Sequence, residues 1–105
     1  MRGADILVQM LIGYGVETIF GVPGDTNVPL YEALQQREGE IRHIMARDER
    51  SAGYMADAYG RFTNKPGVFE CPSGAGAMYS LPPVAESNGS SIPVILLTID
   101  IPLPG

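Results

Sequence analysis

The spacing of apolar residues along the chain switches repeatedly between a helical and an extended pattern. A first helix ending near Gly15 is indicated by a stripe of residues at helical spacing, namely Leu7, Met10, Leu11 and Tyr14. Further helices are predicted over residues 28–36, over residues 48–63 and, with a kink or split at Pro82-Pro83, within residues 77–88. The intervening apolar runs are typical of β-strands and cover residues 16–22, 41–45, 67–71 and 93–99.

The order of these elements predicts an α/β fold. Alternating helices and nearly continuous apolar strands are typical of an open parallel sheet, here of about four strands, with helices on both faces. The chain stops at residue 105, soon after the last strand and without a closing helix. We therefore expect residues 1–105 to be an incomplete domain that is marginally stable or self-associating, because the last strand is apolar on both faces.

Ligands of open parallel sheets bind at the edge where the strands end. Three segments follow strands at that edge: residues 23–27 (PGDTN), residues 47–49 (RDE) and residues 72–76 (PSGAG). We expect these segments to lie close together and to form the functional site of the chain.

Composition and charge narrow the possible functions. The chain has a net charge of −5 and no cluster of Lys or Arg, which disfavours a nucleic-acid surface. No apolar run is long enough to span a bilayer, and we expect no signal peptide. The single Cys and single His exclude an internal disulfide and disfavour a zinc site, so we expect no metal ligands here. A reduced, cytoplasmic setting fits these features best.

Glu49 is the strongest candidate for a catalytic residue. Asp48 is suited to cap the helix over residues 48–63, which places the Glu49 carboxylate in its first turn. Acidic residues are common there for a simpler reason, because they interact favourably with the positive end of the helix dipole. A second backbone or a flat ligand could approach closely to the small residues of this helix, Ser51, Ala52, Gly53 and Ala56.

Two other sets of residues suggest different chemistry. Cys71 and His43 have the chemistry of a nucleophile and a base, but both fall inside predicted strands, where buried thiols and packed imidazoles are common. Gly74-Ala75-Gly76 is similar to the start of a dinucleotide-binding motif, but Tyr79 stands where that motif has its third Gly. We therefore favour a core role for Cys71 and His43 and no dinucleotide site.

Four segments of the chain form an ordered set of motifs. They read GVETIFGVPGD (residues 15–25), DERSAGYMADAYGR (residues 48–61), KPGV (residues 65–68) before the glycine-rich turn, and SIPVILLT (residues 91–98). Together they resemble the amino-terminal, pyrimidine-binding domain of thiamine-diphosphate-dependent enzymes, in particular acetolactate synthases and 2-oxo acid decarboxylases. The chain departs from that family at Ala75, where Pro is usual, at Tyr79, where Asn is usual, and at Pro82-Pro83.

The resemblance implies a role for each of the three segments. Glu49 takes the position of the family's catalytic glutamate, whose carboxylic acid bonds N1′ of the aminopyrimidine and lets the 4′-amino group act as a base. Asp25 stands where decarboxylase members have an acid that assists proton transfer, although Asp also suits a turn or a helix cap. The residues that would approach the cofactor most closely are Pro23, Gly24, Ser73, Gly74, Ala75 and Gly76.

The same resemblance implies thiamine diphosphate as the cofactor of a lyase or transferase that decarboxylates or joins 2-oxo acids. Enzymes of this family are several times longer and hold the diphosphate and Mg²⁺ through a separate carboxyl-terminal domain, whose motifs this chain lacks. We therefore expect a missing diphosphate-binding domain or partner subunit, a homo- or hetero-oligomer, and no activity of the chain alone. The alternatives are a non-catalytic pairing or scaffolding domain and an inactive truncated product.

The isolated chain is expected to bind thiamine diphosphate weakly or not at all, even with magnesium. The reason is that the diphosphate and the metal would find no dedicated ligands in it. Titration calorimetry on the purified monomer measures this directly, and magnesium-dependent binding in the micromolar range would contradict the prediction.

Overall fold

The computed structural model describes residues 2–100, and within that range it contains four strands and five α-helices. The strands are β1 (Thr18–Gly21), β2 (Arg42–Met45), β3 (Gly67–Cys71) and β4 (Val94–Thr98). The helices are α1 (Gly3–Gly13), α2 (Val28–Gln36), α3 (Glu49–Thr63), α4 (Ala75–Tyr79) and α5 (Leu81–Gly89), and a short 3-10 helix, Asp25–Asn27, precedes α2. Residues 101–105, where we expected the chain to stop without a closing helix, lie outside the described residues.

The strands form one parallel sheet in the order β2-β1-β3-β4. Its register is given by residue pairs in neighbouring strands: Thr18 with Arg42, Ile19 with Val68, and Gly67 with Val94. All residues of β3 are buried, as is usual for a central parallel strand covered on both faces. The prediction of an α/β fold with an open parallel sheet is confirmed.

Two apolar cores cover the two faces of the sheet, because successive strand residues point to opposite sides. Ile19 and Val68 belong to the core beside α1 and α2, together with Val8, Leu11, Leu30, Ala33, Leu34 and Ile41. Phe20 and Phe69, each one residue further along, belong to the core beside α3, together with Ala46, Ala52 and Ala56. Each large side chain that is fully buried contributes about 1.5–3 kcal/mol relative to exposure.

The last strand, β4, lies at an edge of the sheet and is covered less completely than the central strands β1 and β3. Its residues are half-buried or exposed, and the Ile95 side chain is 40% exposed. Apolar surface of this kind is what led us to expect a marginally stable or self-associating chain, and that expectation stays a prediction.

Helix α3 packs closely against its neighbours because glycines face them. A Cβ on Gly53 would collide with Pro83 of α5 and would lie 3.1 Å from the Phe69 ring. A Cβ on Gly60 would lie 2.9 Å from the carbonyl oxygen of Pro93. Glycine in a helix costs about 1 kcal/mol relative to Ala. Here that cost is offset by close packing of the chain against itself, so these two positions are not open to a flat ligand.

The apolar face of α1 differs from the predicted stripe. Met10 and Tyr14 are 52% and 84% exposed, whereas Val8 and Leu11 are buried. The buried face of the helix is therefore rotated relative to the prediction. The end of α1 agrees with the prediction, since Gly15 follows it with a left-handed φ of 87°, which favours glycine.

The fourth helical segment is split, as Pro82-Pro83 predicted, but the break lies before the prolines. Helix α4 ends at Tyr79, Ser80 separates the two helices, and both prolines lie in the first turn of α5. Proline breaks no hydrogen bond there, because the first N–H groups of a helix have no partner within it.

A buried carboxylate, Asp57 of α3, pairs with Arg61 of the same helix and joins α3 to α5 through Ser87. Asp57 is 6% exposed and accepts hydrogen bonds from Arg61 Nε at 2.5 Å and from Ser87 Oγ at 2.6 Å. The bond from Arg61, and after it the bond from Ser87, lowers the pKa of Asp57. Since the folded-state pKa lies below the unfolded value, the stabilisation is complete above the unfolded pKa and is lost as the pH falls through the folded one.

We expect Asp57→Ala to lower the free energy of unfolding at neutral pH by about 1–3 kcal/mol, because a buried hydrogen-bonded carboxylate is lost. Urea unfolding at neutral pH and again below the unfolded pKa of about 3.9 measures the effect, which should shrink in acid. Glu86→Gln is the matched control, since Glu86 is an exposed partner of the same Arg61 at 3.5 Å. Equal effects of the two substitutions would show that the buried Asp57 carboxylate stabilises the fold no more than the exposed Glu86 carboxylate does.

Candidate functional site

The turns after β1 and β3 lie side by side at the carboxyl edge of the sheet. Gly24 packs against Pro72, and a Cβ on Gly24 would lie 2.6 Å from the Pro72 Cβ atom. The backbone N–H of Ser73 donates a hydrogen bond to Thr26 Oγ1 at 3.1 Å. These two contacts join residues 23–27 to residues 72–76.

Gly76 lies between Pro72 and the start of α3. A Cβ on Gly76 would lie 2.8 Å from Pro72 Cγ and 3.2 Å from Glu49 Oε1. Any side chain at position 76 would therefore crowd the proline ring and the carboxyl group. The three segments that follow β1, β2 and β3 thus meet in one place, with Glu49 at their junction.

The Glu49 carboxyl group is half-buried and makes no hydrogen bond or ion pair with any of residues 2–100. Its neighbour Asp48 caps α3, as predicted, by accepting the backbone N–H of Arg50 at 2.7 Å. The Arg50 side chain binds both oxygens of Asp48, at 3.0 and 3.1 Å, and lies 5.6 Å from the centre of the Tyr79 ring. These bonds from Arg50 lower the pKa of Asp48 to about 2. Asp48 therefore caps the helix. The Glu49 carboxyl group takes no part in the cap and has no partner of its own within residues 2–100.

The other candidate site residues lie on the turns after β1 and β3. Pro23 and Asp25 are exposed, and Asp25 begins the short 3-10 helix. Gly74 has a φ of 73°, and a Cβ there would meet nothing within 4 Å, so its backbone is open to approach. Ala75 begins α4 and is exposed, whereas Ser73 is half-buried. Their contact with a cofactor stays a prediction.

Sequence reasoning missed a buried polar cluster beside the turn after β1. Glu70, in the central strand β3, is 0% exposed. Its Oε1 atom lies 2.5 Å from the Tyr31 hydroxyl and 3.0 Å from His43 Nε2, and its Oε2 atom lies 2.6 Å from Asn27 Nδ2. Burial, and then the bond to Glu70, raises the pKa of Tyr31, so the tyrosine hydroxyl remains a hydrogen-bond donor.

Cys71 and His43 do not form a nucleophile–base pair. The Nε2 atom of His43 is bonded to Glu70, and Cys71 is 0% exposed. Burial raises the pKa of the Cys71 thiol and makes it less reactive. The core role of Cys71 is confirmed, whereas His43, with a 19% exposed side chain, belongs to the polar cluster instead of an apolar core.

No group of three His, Cys, Asp or Glu side chains within residues 2–100 is arranged to hold a metal ion. In the same part of the chain, no helix is both long and apolar enough to cross a membrane.

Comparison with known proteins supports the resemblance seen in the sequence. A family model described as thiamine pyrophosphate enzyme, N-terminal TPP binding domain, matches residues 1–105. The chain is 39% identical over 106 residues to an acetolactate synthase large subunit of Parasynechococcus marenigrum, with 99% of this chain and 17% of that protein covered. It is 38% identical over 100 residues to the acetolactate synthase isozyme 1 large subunit of Escherichia coli, with 95% and 18% covered.

A decarboxylase is similar to the same extent. The chain is 37% identical over 98 residues to a probable 2-ketoarginine decarboxylase of Pseudomonas aeruginosa, with 93% of this chain and 17% of that protein covered. The family model confirms the resemblance to the thiamine-dependent enzymes, and the relatives confirm the resemblance to acetolactate synthases. The chain spans about 17–18% of the length of the three relatives.

The burial of Cys71 predicts a slow thiol. In the native protein it is expected to react with Ellman's reagent only as fast as the chain opens, because the reagent needs an accessible thiolate. In urea the reaction should be immediate, and an exposed thiol introduced by Ser90→Cys in a Cys71→Ala background serves as the matched control. Fast and complete reaction of the native wild-type thiol would contradict the burial and favour the Cys–His pair.

Proposed function

Because the chain belongs to the thiamine pyrophosphate enzymes through their N-terminal TPP-binding domain, we propose that Glu49 is the acid that activates the bound cofactor. In this proposal the chain is the pyrimidine-binding part of an acetolactate synthase-like carboligase or decarboxylase of 2-oxo acids. Both reaction types are represented in the names of similar proteins, an acetolactate synthase and a probable 2-ketoarginine decarboxylase.

The position of the Glu49 carboxyl group is the observation that carries this proposal. It is half-buried at the junction of three turns and has no hydrogen-bond partner within residues 2–100. A carboxyl group held against Gly76 without a partner of its own is free to bond a ligand nitrogen. The preceding Asp48 already provides the cap of α3, so the helix start does not depend on Glu49.

The donors and spaces at this edge fit an aminopyrimidine ring. Glu49 would supply the acid for ring nitrogen N1′, and the backbone at Gly74 is open to a flat group. Gly24 and Gly76 hold the turns together by packing against Pro72, and Gly76 lies beside the Glu49 carboxyl group. Further contacts would come from the rest of the two turns, namely Pro23, Ser73 and Ala75.

When bound, thiamine diphosphate supplies a thiazolium carbon, C2, that becomes nucleophilic after losing its proton. Glu49 would hold a proton at N1′ and so favour the imino form of the neighbouring 4′-amino group, which is the form that can act as a base. A single positioned acid–base group of this kind is typically worth about 10²–10⁴ in rate. Asp25 is the second candidate: as an exposed carboxyl group on the turn after β1, it would exchange protons near the reacting carbon.

The diphosphate and Mg²⁺ would be held by a partner domain or subunit in this proposal. Two observations favour a partner: the chain covers about 17% of a similar acetolactate synthase, and residues 2–100 contain no metal-ligand cluster. In this proposal the chain binds the cofactor, and residues outside the chain select the 2-oxo acid substrate. A non-catalytic pairing domain is the alternative, and the same experiment distinguishes it.

Substitution of Glu49 by Gln, in an assembly that contains the diphosphate-binding partner domain, tests the proposal. Loss of the acid should slow exchange of the C2 hydrogen for deuterium by about 10²–10⁴, the contribution of one acid–base group, while folding and cofactor binding persist. Proton NMR of the quenched cofactor measures the exchange. Glu17→Gln, an exposed side chain at 73% exposure, is the control and should exchange at the normal rate. Normal exchange in the Glu49→Gln protein would show that Glu49 is not the activating acid.

A further inference from the structure

We propose that Glu70 is a positioning residue that holds the turn formed by residues 23–27 at the site through the side chain of Asn27. The proposal rests on the proposed function only in taking that turn as part of the cofactor site. Its evidence is a set of contacts among Asn27, Glu70 and Gly24, and neither Asn27 nor Glu70 was among the site residues predicted from the sequence.

The orientation of the Asn27 amide is determined by its neighbours. Its Oδ1 atom lies 2.7 Å from the backbone nitrogen of Gly24, and only an oxygen can accept that N–H. The Nδ2 atom therefore points the other way, 3.1 Å from the Val22 carbonyl oxygen and 2.6 Å from Glu70 Oε2. Asn27 is 0% exposed, so no water replaces these partners. The amide connects the turn to β3 in one orientation only.

Glu70 is suited to anchor this amide because it is held from several directions. Tyr31 of α2 and His43 of β2 lie 2.5 and 3.0 Å from its Oε1 atom. Gly21 of β1 leaves the space that the carboxyl group occupies, since a Cβ there would collide with it. Burial of a carboxyl group is unfavourable unless it is bonded, and an apolar side chain would avoid that cost in a fully buried strand. We therefore infer that the Glu70 carboxyl group does more than fill space in the core.

The link continues from Asn27 to the site. Gly24, whose N–H bonds to Asn27, packs against Pro72. Pro72 in turn packs against Gly76, which lies beside the Glu49 carboxyl group. Loss of Glu70 would release the Asn27 amide, and with it the acceptor of the Gly24 N–H. The contact of Gly24 with Pro72 would then loosen.

Hydrogen exchange of the full-length protein, measured by mass spectrometry without cofactor, tests the link. Glu70→Leu removes the acceptor of Asn27 and is expected to speed exchange of residues 22–27 by about tenfold or more, the factor that a lost buried hydrogen bond is worth. Exchange of residues 52–60 in α3 should stay as in the wild type. Glu70→Gln keeps an oxygen for Asn27 and is expected to restore slow exchange.

Tyr31→Phe is the matched control, because it removes a bond to Glu70 Oε1 and leaves the bond to Asn27 in place. It should leave exchange of residues 22–27 near the wild-type rate. Equal acceleration of residues 22–27 and 52–60 by Glu70→Leu would overturn the proposal, because Glu70 would then support only the fold. No acceleration of residues 22–27 would overturn it as well.

If Glu70→Leu does not fold, Asn27→Asp is used to test the proposal. This variant keeps an acceptor for the Gly24 N–H but loses the donor to Glu70. Faster exchange of residues 22–27 supports the proposal, and an unchanged rate overturns it. The result is separable from the proposed function, because normal C2 exchange in Glu49→Gln would remove the catalytic assignment and leave the link between Glu70 and the turn intact.

Discussion

The contact of Pro72 with Gly24 and Gly76 is the packing on which the site depends. A parallel sheet brings the ends of its strands to one edge, but it does not determine how closely the following loops approach one another. Here a rigid proline ring lies against two residues that have no side chain, so the loops after β1 and β3 and the start of α3 come into van der Waals contact. The Glu49 carboxyl group lies beside Gly76 in this packing and has no hydrogen bond within residues 2–100.

Two adjacent acidic residues at the start of α3 have different surroundings. Asp48 accepts the Arg50 backbone N–H and binds the Arg50 side chain, so it meets the needs of the helix terminus. Glu49 interacts with the same helix dipole but accepts none of these bonds. Asp48 alone therefore provides the hydrogen bonds that cap the helix, and the carboxyl group of Glu49 is not needed for them.

Local signals in the sequence were sufficient for most of the fold. Helix α2 and strand β3 were predicted with their observed limits, and α3 within one residue, because each has clear boundary residues or a continuous apolar run. The buried face of α1 was predicted only in part: Leu11 is buried and Leu7 packs against the core, whereas Met10 and Tyr14 are exposed. The parallel sheet was enough to predict that the three turns lie at the same edge. The contacts of Pro72 with Gly24 and Gly76 could not be predicted, because they depend on tertiary packing.

Glu70 was missed for a related reason. Its partners Asn27 and Tyr31 are 43 and 39 residues away in the chain, so their convergence depends on the tertiary fold. Gly21 and Glu70 are also paired in the register of β1 and β3, and the carboxyl group occupies the space that a side chain at position 21 would need. A side chain at position 21 would collide with Glu70 unless Glu70 moved or were itself replaced, so the glycine is a condition for the buried carboxyl group and, through it, for the bond to Asn27.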